Sequence, residues 1–151
     1  MVELTPTRVE DAVGQSLLAE YFSYRAAVFP GPARYRLASP DPAAFGGDGL
    51  FIVASVDRVP SGCGGARALS PLRFEIKHLY VRPASRGLGI GRAILSGLED
   101  HARLRGAREL VLDTHSSLTA AASLYGAAGY ESIDAYNDNP NANVWYRKLV
   151  R

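Results

Sequence analysis

Apolar positions in the first third of the chain predict a strand, a helix and an irregular surface segment. Residues 2–9 fit a short strand, and from Glu10 the apolar period becomes helical until Pro30-Gly31-Pro32 ends the helix. One stripe of this helix is formed by Val13, Leu17, Leu18, Tyr21, Phe22, Arg25 and Val28. Residues 33–49, rich in proline and glycine, predict a surface excursion over a substrate pocket, with a short turn that Asp41 caps.

The remaining pattern alternates strands with two further helices. Strands are predicted at residues 51–56, 62–69, 74–81, 110–112, 130–133 and 144–149, and helices at 90–105 and 117–128. Pro83 ends the third of these strands because it cannot donate to a ladder, and Ser116 or Ser117 is a candidate cap for the last helix. This order predicts an α/β fold, a single domain over residues 1–151 with helices on both faces of one sheet.

Composition narrows the class of protein. The chain has 151 residues, 47% of them hydrophobic and 21% charged, which indicates an ordered globular domain. Its longest apolar run, residues 50–54, is far short of the roughly 20 residues of a membrane helix, and no secretion signal is visible, so we expect a cytoplasmic protein. A lone cysteine, Cys63, and three scattered histidines predict neither a disulfide nor a metal site.

Basic residues are concentrated in one stretch. Residues 82–108 carry six arginines against Glu99 and Asp100, a net charge of +4 in a chain whose total is +2. Guanidinium groups match phosphate oxygens, so this stretch favours a phosphate-bearing ligand. A solvated helix face explains the same charges, and nucleic-acid binding is a weaker third interpretation because no aromatic residues are interleaved with the arginines.

A glycine-rich loop lies between the predicted strand 74–81 and the predicted helix 90–105. Its sequence is Arg86-Gly87-Leu88-Gly89-Ile90-Gly91-Arg92, and alternate glycines beside a helix N-terminus let backbone N–H groups approach a pyrophosphate. A dinucleotide-binding fingerprint would need a glycine where Arg92 stands, and a Walker loop would need Gly-Lys-Ser/Thr. Phosphate binding is therefore the preferred interpretation, and a tight strand-to-helix turn is the alternative.

Three segments together resemble the GCN5-related N-acetyltransferase superfamily. The loop matches its acyl-CoA signature, Arg/Gln-x-x-Gly-x-Gly/Ala, and Glu75-Ile76-Lys77-His78-Leu79-Tyr80-Val81 looks like the family's fourth strand running into it. Leu110-Val111-Leu112-Asp113-Thr114 looks like the fifth strand, and Leu124-Tyr125-Gly126-Ala127-Ala128-Gly129-Tyr130 resembles the family's L-Y-x-x-x-G-F/Y segment. The segment Thr114-His115-Ser116-Ser117 departs from the pattern, since it lacks the asparagine often seen there.

The resemblance implies a mostly antiparallel sheet whose fourth and fifth strands splay apart to admit the pantetheine arm of acetyl-CoA. The backbone of Leu79 and Val81 would bond the arm, and the loop would hold the pyrophosphate. The expected cofactor-binding residues are Leu79, Tyr80, Val81, Arg86, Gly87, Leu88, Gly89, Ile90, Gly91 and Arg92. The reaction implied is acetyl transfer from acetyl-CoA to an amine that attacks directly, without a metal.

Acetyl transfer needs a base for the amine, a donor for the oxyanion and an acid for the thiolate. Glu75, the only carboxylate between Asp57 and Glu99, occupies the position of the general base in many family members, and His78 is the fallback. By the same resemblance Tyr125 would be the acid and the Leu79 N–H would take the oxyanion. An arginine-paired strand glutamate and an ordinary core tyrosine are the competing interpretations of these side chains.

The acceptor is expected to be a small amine, bound between the first helix, the 31–49 segment and residues 134–146. Aromatic walls with carboxylates would suit a cation. These segments hold Tyr21, Tyr24, Tyr35, Phe45, Tyr136 and Trp145, with Asp41, Asp48, Asp134 and Asp138. An acyl-CoA-binding sensor that turns nothing over, a peptide N-acetyltransferase and a nucleic-acid-binding loop stay open. The resemblance also allows a homodimer, for which residues 144–149 would serve as an edge strand.

Overall fold

One seven-stranded sheet organises the computed structural model, which describes residues 1–31, 35–37 and 40–151. The strands are β1 (Val2–Pro6), β2 (Leu50–Val56), β3 (Val59–Ser70), β4 (Arg73–Val81), β5 (Glu109–Thr114), β6 (Glu131–Ile133) and β7 (Val144–Leu149). The helices are α1 (Ala12–Val28), α2 (Ile90–Leu104) and α3 (Thr119–Ala127), with short 3-10 turns at Pro42–Phe45 and Pro83–Ser85. The predicted α/β class is confirmed.

The strand order is β1-β2-β3-β4-β5-β7-β6, and every neighbouring pair is antiparallel except β4 with β5. The expectation that residues 144–149 form an edge strand is wrong. Strand β7 pairs with β5 on one side and β6 on the other, so the three-residue β6 is the edge there. In chain order β6 comes first and lies at the edge, and β7 then lies between β6 and β5.

Two apolar layers cover the sheet, as the predicted helices on both faces require. Helices α2 and α3 pack on one face, with Ile94, Leu95 and Leu98 against Phe74 and Leu110. Helix α1 covers the other face at β2 to β4, with a core that includes Leu17, Leu18, Phe51, Val53, Cys63 and Tyr80. Next to α1 on this face, a cavity is lined by residues of α1, β4 and the end of β5.

Several predicted element ends shift. Helix α1 begins at Ala12, and Leu118 rather than a serine precedes α3, where no side chain caps the helix. Ser116 instead accepts a hydrogen bond from Asn143, which ties it to the neighbouring loop. The predicted cap at Asp41 is confirmed, since its carboxylate accepts from the Ala43 N–H at 3.0 Å. Part of the predicted 33–49 excursion, residues 33–34 and 38–39, lies outside the described residues.

Strands β4 and β5 separate after three residue pairs. Their parallel pairing runs from Arg73–Glu109 to Glu75–Val111 and then stops, although β4 continues to Val81. A register shift between β3 and β4 accompanies the separation, and His78 takes a left-handed backbone conformation with φ of 58°. Such a bulge increases local twist and turns the strand away from its neighbour. The predicted splay between the fourth and fifth strands is therefore present.

Among residues 1–31, 35–37 and 40–151, the three helices fall short of the length and apolar character of a membrane span.

Candidate active site

A groove of about 270 Å³ opens between the separated strands and the start of α2. All the expected cofactor-binding residues line it except Leu88, whose side chain is 65% exposed. Tyr24 of α1 and Ala120, Ala121 and Leu124 near α3 complete the walls. The structure thus gathers residues from three separate segments around one elongated opening.

The backbone of β4 faces this groove with unpaired groups. The N–H of Arg82 donates to the Ser61 carbonyl at 2.8 Å, so the groups of Val81 point to the opposite side, into the gap. One of these backbone groups already has a side-chain partner, because Arg86 Nε donates to the Val81 carbonyl at 3.1 Å. The Arg86 guanidinium also stacks 4.7 Å from the centre of the Tyr24 ring. An extended polar chain entering the gap would find the strand groups that β5 leaves unpaired.

The glycine loop closes one end of the groove. Gly87 and Gly89 have φ values of 80° and 78°, a left-handed conformation that other residues adopt only with strain. Gly89 also precedes the first turn of α2, whose backbone N–H groups have no helical partner. A Cβ on Gly91 would lie 3.3 Å from Leu124. Open backbone N–H groups at a helix N-terminus, with Arg86 and Arg92 alongside, fit a pyrophosphate.

A second cavity, of about 380 Å³, lies on the α1 side of the separated strands. It shares four lining residues with the groove, namely Tyr21, Leu79, Leu118 and Ala121. The two spaces therefore meet at the strand gap. Aromatic rings of Phe22, Tyr35, Phe45 and Tyr125 also line this second space, which we call the acceptor cavity.

Tyr125 lies in the wall of the acceptor cavity close to the junction. Its ring packs on Tyr130 and Tyr146, with centroids 5.8 and 5.9 Å away, and burial raises the pKa of its hydroxyl. Within the described ranges no hydrogen bond holds this hydroxyl, whereas the Tyr130 hydroxyl donates to Glu99 at 2.8 Å. A tyrosine that stays protonated and uncommitted can donate a proton to a leaving group.

His78 lies among aromatic rings at the bulge. The rings of Tyr21, Phe22 and Phe45 have centroids 5.5 to 5.8 Å from its own. Burial, helped by the charges of Lys77 and Arg25, lowers the pKa of His78 to about 3. The imidazole is consequently neutral near pH 7, and it is a weak proton acceptor there.

Glu75 is almost completely buried and lies where β4 and β5 part. Its side chain is 1% exposed, and one oxygen accepts from Arg67 Nε at 2.7 Å while the other accepts from the Tyr136 hydroxyl. Burial and the Glu75 charge raise the pKa of Tyr136. Glu75 does not line the acceptor cavity, but its partner Arg67 does. Any exchange of protons with the cavity would therefore pass through an intermediary.

A polar network that the sequence did not reveal forms the far wall of the acceptor cavity. Lys77 Nζ lies 3.3 Å from Asp113, and Asn137 donates to the same carboxylate at 2.6 Å. Burial opposes ionisation of Asp113, but Lys77 and the hydrogen bonds lower its pKa. Asparagines at alternate positions build the covering loop, at 137, 139, 141 and 143. That spacing is the one signal from which the network could have been found.

The expected acceptor-site residues are only partly brought together. Tyr21, Tyr35, Phe45 and Asp41 line the acceptor cavity, while Tyr24 lines the groove instead. Tyr136 binds Glu75, and Trp145 donates to Asn137 at 2.9 Å. The remaining candidates, Asp48, Asp134 and Asp138, do not line it. The cavity also contains Arg25, which the sequence placed on the apolar stripe of α1 without a functional role.

Other candidate chemistry is not supported at Cys63. The thiol is fully buried in the core under α1, and burial raises its pKa to about 12. Thiolates rather than thiols attack acyl groups, so Cys63 is a core residue. Across residues 1–31, 35–37 and 40–151, metal-binding side chains do not gather in groups of three or more.

A sheet splayed beside a glycine loop, with a second cavity across the gap, defines an acyl-CoA N-acyltransferase fold. The model of the Acetyltransferase (GNAT) family matches residues 15–130, and the chain belongs to that family. An IAA acetyltransferase of Azospirillum brasilense is 30% identical over 128 residues, covering 81% of this chain and 78% of that protein. An uncharacterized N-acetyltransferase of Schizosaccharomyces pombe is 39% identical over 75 residues, 50% of this chain and 46% of that protein. The chain thus spans less than half of that relative.

Solved structures share the fold along the whole chain. A putative acyl-CoA N-acyltransferase of Klebsiella pneumoniae superposes with a TM-score of 0.80 at 25% identity, covering 99% of this chain and 97% of that one. The PaiA N-acetyltransferase of Thermoplasma acidophilum, solved with coenzyme A, gives a TM-score of 0.76 at 17% identity, with 99% of both chains covered.

Proposed function

We propose that the protein is an N-acetyltransferase that moves an acetyl group from acetyl-CoA to an amine in a ternary complex. The observation that carries this proposal is the strand gap, where the groove and the acceptor cavity share Tyr21, Leu79, Leu118 and Ala121. A cosubstrate in the groove and an amine in the cavity would meet there without a covalent enzyme intermediate. The coenzyme A bound to a structural neighbour supports the same assignment.

The residues of the groove would bind and orient the cosubstrate. Open N–H groups from Gly87 to Arg92 would hold the pyrophosphate. The backbone of Leu79 and Val81, which β5 leaves without a strand partner, would bond the pantetheine arm once Arg86 releases the Val81 carbonyl. Acetyl-CoA supplies the thioester whose acyl carbon the amine attacks. We assign the Leu79 N–H, next to the bulge at His78, as the oxyanion donor.

Proton transfer is assigned to two side chains. Tyr125 would protonate the departing sulfur, which its buried, uncommitted hydroxyl favours. Glu75 would take the proton of the amine through water, with Arg67 and Tyr136 holding the carboxylate in place. His78 is the less suitable base because its pKa is lowered to about 3.

The acceptor would be a small-molecule amine. The cavity of about 380 Å³ suits a compact ligand, and this favours a small amine over a peptide. The names of the relatives do not identify the acceptor. One relative is named for IAA, and another, 35% identical over 44% of this chain, is named for L-methionine sulfoximine and L-methionine sulfone. A cytoplasmic location and a homodimer stay predictions.

Thermal unfolding with acetyl-CoA, coenzyme A or 3′-phospho-AMP, each at the same concentration, tests the proposal. A ligand that binds only the folded state adds about 2.7 kcal/mol at a hundred times its Kd. We expect acetyl-CoA and coenzyme A to raise the midpoint much more than the nucleotide alone. An amine screen with a free-thiol readout then follows. No stabilisation by any of the three would overturn the acetyltransferase assignment. Binding without turnover, unchanged by removing Glu75 and Tyr125, would favour a sensor module.

A further inference from the structure

Among the described residues, a buried cation in the acceptor cavity has neutral hydrogen-bond partners. Arg25, on α1, is 7% exposed and lines the cavity. Its Nη1 donates to the Tyr21 hydroxyl at 3.2 Å and its Nη2 to the Asn141 carbonyl at 2.7 Å. Wherever the structure describes the chain, the ion pairs of carboxylates are formed with other cations, such as Lys77 with Asp113.

The surroundings hold this guanidinium in one orientation. The Tyr21 ring, on α1, lies 5.9 Å from the central carbon of the Arg25 guanidinium. The Tyr35 ring, on the segment that follows α1, lies 5.6 Å from the same carbon. Asn141, whose carbonyl takes Nη2, is itself fixed, because its side chain donates to the Arg36 carbonyl at 2.6 Å and accepts from the Arg36 N–H at 2.9 Å. A preordered guanidinium loses little freedom when it binds a ligand.

A guanidinium has five N–H donors, and the contacts just described use two of them. Removing such a charge from water is costly unless an anion compensates it. Of the other cations of the cavity wall, Lys77 pairs with Asp113 and Arg67 with Glu75, while Arg36 is an exposed residue whose charge stays hydrated. A ligand carboxylate would therefore gain most at Arg25, through charge-assisted hydrogen bonds.

The position of Tyr21 limits how far this carboxylate would lie from the reacting amine. Its hydroxyl accepts from Arg25, while the same side chain lines the junction between cavity and groove. One side chain thus spans the distance from the cation to the place where the thioester would lie. A ligand bridging both points needs its amine and its carboxylate only a few bonds apart.

We propose that the acceptor is an amine carrying a nearby carboxylate, as an α-amino acid does, and that Arg25 binds that carboxylate. This inference rests on the proposed acetyltransferase function. The apolar rings of Phe22 and Phe45 would then face the remainder of the ligand. Arg25 is a specificity-determining residue in this scheme, since it touches substrate but takes no part in proton transfer.

The test compares each common α-amino acid with its α-carboxamide, which keeps the amine but lacks the anionic group. Thiol release from acetyl-CoA gives kcat/KM for both members of each pair, and simple alkylamines complete the panel. Variants are Arg25→Gln and Arg25→Lys. Arg103→Gln, on α2 outside both cavities, is the matched control because it loses a guanidinium of comparable chemistry.

For the best acceptor we expect the acid to exceed its amide by about tenfold to a hundredfold, the range of one charge-assisted hydrogen-bonded contact. The Arg25→Gln variant should bring this ratio close to one, Arg25→Lys should keep part of it, and Arg103→Gln should keep all of it. A merely structural role for Arg25 would lower both rates together and leave the ratio unchanged. Because the ratio is first measured on the unaltered enzyme, a variant that fails to fold does not remove the test.

The failures are distinguishable. Acetylation of amides or alkylamines as fast as acids by the unaltered enzyme overturns this inference and leaves the acetyltransferase assignment standing. The inference is also overturned if the preference for acids persists in Arg25→Gln, provided that this variant is folded. An unchanged shift of its unfolding midpoint by coenzyme A would show that it is folded. Absence of thiol release with every acid, amide and alkylamine overturns the assignment of a small-molecule amine as acceptor, and this inference with it.

Discussion

Replacing Glu75 by glutamine separates a structural carboxylate from a catalytic one. The side chain is 1% exposed and both oxygens accept hydrogen bonds, from Arg67 and from Tyr136. Glutamine keeps the shape and can bond to both partners, so the loss is the charge assistance of two hydrogen bonds. Because Arg67 is 39% exposed and stays hydrated, we expect a cost of about 2 kcal/mol. For a domain of this size the midpoint would fall by about 4 to 8 °C.

The matched control is Tyr136→Phe. It removes the donor to one Glu75 oxygen, at a cost of about 2 kcal/mol, but it leaves the carboxylate in place. If Glu75 is the general base, Glu75→Gln should lower kcat/KM by about a hundredfold or more, while Tyr136→Phe lowers it by at most about tenfold. The loss in Glu75→Gln should shrink as pH rises, because a deprotonated amine needs no base.

Thiol release from acetyl-CoA, measured well below both midpoints and across pH, decides the question. Two variants of equal stability that differ in rate by less than about threefold would refute the base assignment. The same result would identify Glu75 as a buried ion-pair partner that holds β4 near the strand gap.

Three further predictions, two of them with a control variant, test other parts of the site. Burial lowers the pKa of His78 from 6.5 to about 3, so the unfolded chain takes up a proton that the folded chain does not. The free energy of unfolding of the wild type should therefore fall by about 2 kcal/mol between pH 7 and 5, and His78→Asn should lack this contribution. Thermal unfolding across this pH range measures both proteins, and the same pH dependence in the two would contradict the lowered pKa of His78. Gly89→Ala, at a φ of 78°, should cost about 1 to 2 kcal/mol and weaken the coenzyme A midpoint shift. Gly47→Ala, at a φ of 57° outside the groove, should match the stability cost and keep the shift, and an equal loss in both variants would argue against the loop's role. Tyr125→Phe should slow thiol release with little change in the free energy of unfolding. The control Tyr130→Phe loses a hydrogen bond to Glu99, so it should lower the free energy of unfolding by about 2 kcal/mol and leave the rate of thiol release by the folded enzyme unchanged. The reverse pattern would make Tyr125 a core residue.

The glycine loop and its flanking elements could be predicted from the sequence because their causes are local. Gly87 and Gly89 take backbone angles that other residues resist, and a strand and a helix with clear periodicity adjoin them. The strand gap was expected only by resemblance. Its physical origin, a bulge at His78, has no signature in the alternation of apolar residues.

The acceptor cavity was harder to predict because its walls come from distant parts of the chain. The bond from Arg25 to Asn141 joins positions 116 residues apart, and that from Asn141 to Arg36 spans 105. On its own helix Arg25 looks like an amphipathic residue on an apolar stripe, and only the tertiary fold gives it a cavity to face. The prediction that residues 144–149 form an edge strand was wrong for the same reason, since strand pairing depends on contacts between distant parts of the chain.

The strand order also determines how much unpaired backbone lies at the edges of the sheet, where it could promote aggregation. Unpaired strand backbone is a template for aggregation when it lies at the rim of a sheet. Here the longest such stretch, in β4 beyond Glu75, lies in the interior of the sheet, and the Arg86 side chain occupies the Val81 carbonyl within it. The rims are β1 and β6, of five and three residues, and the very short β6 offers little backbone to a partner strand. The molecule thus keeps its longest unpaired strand backbone inside a narrow ligand groove, away from the edges of the sheet.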